Sequence, residues 1–218
     1  MNKQIGVILS GCGVKDGSEI HEAVLTLLAI DRHGGEAICM APDMELAEIN
    51  HLTGKETGVR RNVLQEAARI ARGKIRDLKS VSASELDAVV MPGGSGAAKN
   101  LCTFASQGAN CTIQPDVARL LKEMAAAKKP IVAICIAPTL IAALFGPSLH
   151  PTVTIGNDAA TAKEITATGS RHQICPVTDF VVDHEHRLIT IPAYMYNARI
   201  SEVATGIERG IAALFAMF

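Results

Sequence analysis

The chain has 218 residues, 21 Lys and Arg against 22 Asp and Glu, a formal net charge of -1, no Trp, and aromatic residues at only 3%. A near-neutral chain without a basic run argues against nucleic acid and anionic membrane as partners, and the scarcity of aromatic rings argues against stacking platforms for bases or sugars. Its length suits one α/β core over residues 1–218, burying roughly 70% of the surface of the unfolded chain, so neither disulfide nor metal is needed to hold it together.

Residues 5–9 are an apolar run read as a buried strand. The spacing of Ile20, Ala23, Val24, Leu27, Leu28 and Ile30 predicts a helix over 19–33, ended by Gly34-Gly35. A strand over 36–41 and a helix over 62–72 follow, then a strand over 87–91 that stops at Pro92-Gly93-Gly94. A helix over 115–129, with proline at its first turn, precedes the apolar strand 130–134. A short helix over 138–145 is expected to stop at Gly146-Pro147, followed by a strand over 152–155 and a polar helix over 159–168. Residues 180–191 read as a β-hairpin turning at His184-Glu185-His186, and the last helix carries the stripe Ile200, Val203, Ala204, Ile207, Ile211, Leu214 and Phe215. Apolar strands alternating with helices predict an α/β fold: a mainly parallel sheet with helices on both faces and a small antiparallel hairpin.

No apolar run reaches the roughly 18 residues of a membrane span. Met1 to Gln4 lead straight into a short strand, so no signal peptide is expected. Six scattered cysteines without a CxxC read as reduced thiols, and the expected location is cytoplasmic.

In parallel sheets ligands sit beyond the carboxyl ends of the strands, which selects Gly11-Cys12-Gly13, Gly93-Gly94-Ser95-Gly96 and Cys135. Cys135 stands between a strand and the Pro138 of a helix start. The turn would expose the thiol, and the helix N-terminus would favour thiolate and lower its pKa. The competing reading is a buried, inert cysteine. Gly93 and Gly94 either bring N–H groups to an oxyanion or supply a turn with positive φ. Glu19 and Glu22 share one face of the first helix. With Asp16 as N-cap, Glu19 takes the capping-box position, which leaves Glu22 as the carboxyl that burial would push up and equip for proton transfer. His21 reads as exposed or structural. The Gly11-Cys12-Gly13 stretch imitates a dinucleotide loop, but its third glycine is displaced. His184 and His186 suit a solvated hairpin tip better than a metal pair, and no metal-ligating set is read. Cys12 and Cys135 both follow strands, so they could share one cleft or pair under oxidation, though free thiols are expected.

Residues 89–94 (VVMPGG), 97–101 and 134–139 (ICIAPT) resemble the ThiJ/PfpI superfamily of class I glutamine amidotransferase-like proteins. Residues 5–30, with HLTG at 51–54, RNVLQEAARIARG at 61–73 and TIPAYM at 190–195, resemble its ElbB branch nearly end to end. The resemblance implies a flavodoxin-like three-layer sandwich, usually a homodimer, without an organic cofactor. It implies a nucleophile at Cys135 and a helix-one glutamate at Glu22, with Glu19 as the alternative. The implied activity is that of a glyoxalase acting on glyoxal, which can reflect deglycation of glyoxal-modified protein groups. Peptide- and glutamine-hydrolysing relatives place a His after the cysteine or on a later strand, whereas here Ile136 follows Cys135 and Gly156-Asn157 follow the strand 152–155.

The expected chemistry is addition of the Cys135 thiolate to glyoxal, giving a hemithioacetal. A protonated Glu22 then shuttles a proton between carbons, and Gly94 and Ile136 N–H groups hold the oxyanion. Gly93 and Cys12 are expected to line the site. The alternatives are a thiol redox sensor or holdase, and an amidotransferase-like accessory subunit.

Overall fold

The computed structural model describes residues 2–218. In chain order its elements are β1 (Gln4–Ile8), α1 (Ile20–Arg32), β2 (Glu36–Ala41), β3 (Glu45–Ile49), β4 (Glu56–Asn62), α2 (Val63–Ile70), β5 (Arg76–Asp77), β6 (Ala88–Met91), α3 (Ser95–Lys99), α4 (Phe104–Gln107), α5 (Pro115–Ala126), β7 (Ile131–Ile134), α6 (Pro138–Leu149), β8 (Thr152–Val153), α7 (Ala159–Ala167), β9 (Arg171–His172), β10 (Val181–Asp183), β11 (Leu188–Ile191) and α8 (Ile200–Phe215).

The strands that read as uninterrupted apolar runs occupy the middle of a seven-stranded sheet, ordered β10-β11-β7-β6-β1-β2-β5. Every neighbouring pair is parallel except β10 with β11. Alternate residues of β7 serve opposite layers: Ile131 and Ala133 pack into one apolar core, Val132 and Ile134 into the other. Both faces are therefore buried, which is why these strands lack polar alternation. The arrangement is a flavodoxin-like three-layer α/β sandwich.

Helix α8 packs along α1, burying Val203, Gly206, Ile207, Gly210, Ile211 and Leu214 at helical spacing. A Cβ at Gly206 would strike the Val177 carbonyl oxygen, and one at Gly210 would strike the Ile191 side chain. Gly206→Ala is thus expected to destabilise the fold by about 1–3 kcal/mol through overpacking, although helix propensity alone favours alanine by about 1 kcal/mol. Urea unfolding gives the sign directly, and a stabilised variant would contradict the packing argument.

Four expectations change. The antiparallel pair β3 and β4 has no counterpart in the reading above, because its strands (ELAEI and ETGVRRN) carry charged residues and neither is an uninterrupted apolar run, β4 being largely exposed and β3 mostly half-buried. The strand 152–155 shrinks to β8, which pairs with β9 in a separate two-stranded parallel sheet. Helix α6 runs through Gly146-Pro147 to Leu149. Its apolar residues Leu140, Ile141, Ala142 and Phe145 are all buried, and that packing outweighs one hydrogen bond lost near the helix end. In α1 the buried face is Glu22, Ala23, Thr26, Ala29 and Ile30, whereas Ile20, Val24 and Leu28 are exposed. The helix carries more apolar residues than one face holds.

Candidate active site

Cys135 sits between β7 and α6 with φ of 61°, in the left-handed region that a non-glycine residue rarely occupies. Its amide donates to Ile191 O at 2.8 Å, fixing the turn against β11, and Pro138 opens the helix beyond it. A residue held there by its surroundings stores strain, as nucleophile turns between strand and helix do. The side chain is 7% exposed, and what is exposed faces a cavity.

Behind the sulfur lies Glu22, with no exposed surface. The Glu22 carboxyl lies beside the Cys135 thiol, close enough for each to shift the other's proton affinity. Glu22 Oε2 accepts from Gly93 N at 2.9 Å, and Oε1 accepts from Tyr194 N at 3.2 Å. Burial, and then the nearby Glu19 charge, push the Glu22 carboxyl up to about 7, while the Tyr194 amide, the Cys135 thiol and the Gly93 amide resist.

The thiol does not behave as its position after a strand suggests. Burial first, then the Glu22 carboxylate, raise the Cys135 pKa well above the ordinary thiol value, and the amides of Gly94 and Ile136, which donate to the sulfur, only oppose this. The expectation of a lowered thiol pKa is therefore reversed. The helix N-terminus acts as argued, but desolvation beside a carboxylate is stronger.

Gly93 and Gly94 join the parts. A Cβ on Gly93 would lie 2.7 Å from Glu22 Oε2 and closer still to the Cys135 Cβ. Gly94 has φ of 94°, and a Cβ there would strike Gly17 O and Glu19 N. Glu19 N donates to Gly93 O at 3.0 Å, so the glycine turn also anchors the start of α1. Gly93→Ala is expected to part the sulfur from the carboxyl, to lower stability by about 1–3 kcal/mol, and to reduce turnover at least tenfold. Paired urea and rate measurements check both effects.

The α1 cap differs from the expected one. The helix starts at Ile20 with Glu19 as N-cap, whose Oε2 accepts from Glu22 N at 2.7 Å. Asp16 caps nothing: its Oδ2 accepts from Ile49 N at 2.8 Å. Glu19 lines the cavity and bears on the Glu22 carboxyl through its charge, whereas Glu22 is the carboxyl at the sulfur.

Cys12 does not join this cavity. It borders a separate polar pocket with Asp16, Glu48, His51, Arg61 and Glu66, and all six cysteines are free. The Gly11–Gly13 loop does not open a helix, since the turn continues to residue 19. His150 hydrogen-bonds Gly169 O at 2.9 Å, and His186 pairs with Asp183 at 3.1 Å. Among the described residues no cluster of three or more His, Cys, Asp or Glu could hold a metal ion.

The cavity measures about 520 Å³ and is lined also by Ser95, Lys99, Phe104, Glu164, Tyr194 and Met195. Among the described residues no histidine lines it. Tyr194 was not singled out from sequence, yet it holds Glu22 by its amide, and its hydroxyl meets His21 Nδ1 at 2.9 Å. The available signal was positional: β11 runs parallel to β7, so Pro192–Met195 also leave the carboxyl end of a strand.

No family model matches the sequence. Among curated proteins, the human glutamine amidotransferase-like class 1 domain-containing protein 3, mitochondrial, is 42% identical over 215 residues, covering 94% of this chain and 79% of the relative. The chain belongs to the glutamine amidotransferase-like class 1 family. The rat ES1 protein homolog, mitochondrial, is another relative at 42% identity, with 94% of this chain and 80% of the relative covered. A crystal structure described as an isoprenoid biosynthesis protein with amidotransferase-like domain, from Ehrlichia chaffeensis, superposes with a TM-score of 0.93 at 37% identity, covering 99% of this chain and 100% of that one. These findings agree with the ThiJ/PfpI and ElbB-type resemblance. They correct the cytoplasmic expectation, because the curated relatives are named as mitochondrial proteins. Scattered cysteines and a near-neutral charge do not distinguish one compartment from another.

Proposed function

We propose that this amidotransferase-like chain is a cofactor-independent glyoxalase that converts glyoxal to glycolate through a hemithioacetal on Cys135. The observation that carries the reading is the buried Cys135–Glu22 pair at the edge of a cavity, with the carboxyl poised at about 7. A group near 7 gives and takes protons at neutral pH with little bias either way.

The raised thiol pKa puts the starting proton on sulfur. Cys135 sulfur attacks one aldehyde carbon while its proton passes to the Glu22 carboxylate, and the new oxyanion then takes that proton to give a neutral hemithioacetal. The Gly94 and Ile136 amides support the charge that develops at sulfur and oxygen. Glu22 next removes the hydrogen of the sulfur-bearing carbon as a proton, giving an enediolate, and returns a proton to the adjacent carbon while the hydroxyl proton of the sulfur-bearing carbon passes to the adjacent oxygen, leaving a glycolyl thioester. Water attacks the thioester carbonyl, the carbon–sulfur bond breaks, and sulfur regains its proton. The sum is glyoxal plus water giving glycolate and one proton.

An aldehyde of glyoxal is electrophilic enough to react without an imidazole. Amide hydrolysis must protonate an amine leaving group, and a cavity without histidine is poorly equipped for that. The cavity exceeds what free glyoxal fills, which also supports glyoxal carried on a protein side chain as substrate. Purified protein given glyoxal, with no added thiol, should form glycolate visible by proton NMR. Absence of glycolate, or a strict need for added thiol, would count against the proposal.

A further inference from the structure

A pair of sulfur atoms lies outside this site. Cys102 and Ile113 form an antiparallel bridge, continued by Gln114 N donating to Leu101 O at 2.9 Å and Thr103 N donating to Thr112 O at 3.0 Å. In that register Cys111 is the diagonal neighbour of Cys102 on the same face. The two thiols are near enough to shift one another's proton affinity. Cys102 is buried, its sulfur also 3.3 Å from Ala97 O, while Cys111 is partly open to solvent. One thiol is reachable and the other waits behind it, the arrangement of a peroxide-reactive cysteine and its resolving partner. The neighbouring Cys102 thiol also holds Cys111 below the ordinary thiol value.

The intervening segment, residues 103–110, is a wall of the Cys135 cavity. Phe104, Ala105, Ser106 and Gly108 line it, and Ala109 N donates to Glu164 Oε2 at 2.8 Å, docking the segment on α7.

We propose that Cys102 and Cys111 form a reversible disulfide, with a hydroperoxide as oxidant, that fixes the position of this cavity wall. The Cys111 thiolate attacks the peroxide, the oxygen–oxygen bond breaks, and Cys111 becomes a sulfenic acid as hydroxide leaves. Cys102 sulfur then displaces the sulfenic oxygen, which departs as water with the Cys102 proton. Two thiols are oxidised by two electrons, and one peroxide is reduced to two oxygens at the level of water. A disulfide needs Cβ atoms about 3.5–4.5 Å apart, closer than diagonal neighbours on a ladder, so the bond draws Cys111 inward and the wall with it.

The test uses wild-type protein treated with limiting hydrogen peroxide, then alkylated and mapped without reduction. A Cys102–Cys111 cross-linked peptide that disappears with dithiothreitol is expected, together with hydrogen exchange slowed about threefold or more in amides of residues 103–110. Cys111→Ser should lose both effects. Because both readouts are made on the wild type, an unfolded variant leaves the test intact, and neither depends on glyoxal turnover. Oxidation confined to other cysteines, or a cross-link that leaves exchange in residues 103–110 unchanged, overturns the proposal.

Discussion

Cys135→Ala should lower glycolate formation from glyoxal by at least about 10³-fold, because no other group in the cavity can form the hemithioacetal. Lys99 and Tyr194 share the cavity, but neither combines contact with Glu22 through its side chain and donation from the Gly94 and Ile136 amides. The variant should stay folded. A small residue already accommodates the turn, and removing a thiol beside a buried carboxyl takes away little packing. Cys135→Ser tests nucleophile strength separately: it keeps a hydrogen-bonding group at the position but should recover almost none of the rate. Activity of Cys135→Ala within tenfold of wild type would remove the thiol from the chemistry.

Glu22→Gln should cut turnover by about 10²–10⁴-fold, the usual worth of a positioned acid–base group. Wild-type kcat/KM should rise with pH through about 7, as the carboxylate able to accept the thiol proton accumulates, and the variant should lose that limb. Stability moves the opposite way. The folded carboxyl titrates at about 7, above the roughly 4.3 of an exposed glutamate, so the native state binds more protons between these values. Stability is therefore complete below the unfolded value and falls as pH rises through the folded one, by about 3 kcal/mol in order of magnitude. Glutamine has no such titration. Urea midpoints at pH 5 and pH 8 should show wild type losing ground to Glu22→Gln as pH rises, and parallel midpoints would contradict a raised carboxyl. A site that is less stable ionised, yet needs ionisation to react, exchanges stability for proton transfer.

Much of this was legible because apolar runs mark doubly buried parallel strands, and their carboxyl ends point to the site. That argument leads to Gly93, Gly94 and Cys135, and the resemblance adds Glu22. It failed for Tyr194 because the hairpin was read as an antiparallel appendage, although β11 lies parallel against β7 and its end opens onto the same cavity. Cys12 follows β1 as Cys135 follows β7, but it faces the pocket of the β3–β4 hairpin, whose charged strands carry no apolar period to read. Phe104 and Glu164 reach the cavity from α4 and α7, elements that end far from any central strand in sequence. The raised thiol pKa was hidden for a related reason. A helix start is visible locally, whereas desolvation depends on the residues that close over the sulfur from distant parts of the chain.

The most direct measurement is peptide mapping of Glu22→Gln after long incubation with glyoxal and acid quench. If sulfur adds to the aldehyde and the buried carboxyl moves the next proton, one glyoxal mass should accumulate on the peptide holding Cys135 and be missing from Cys135→Ala. Glycolate formed by the wild type, with adducts in Glu22→Gln found only on lysines and arginines, would contradict that account.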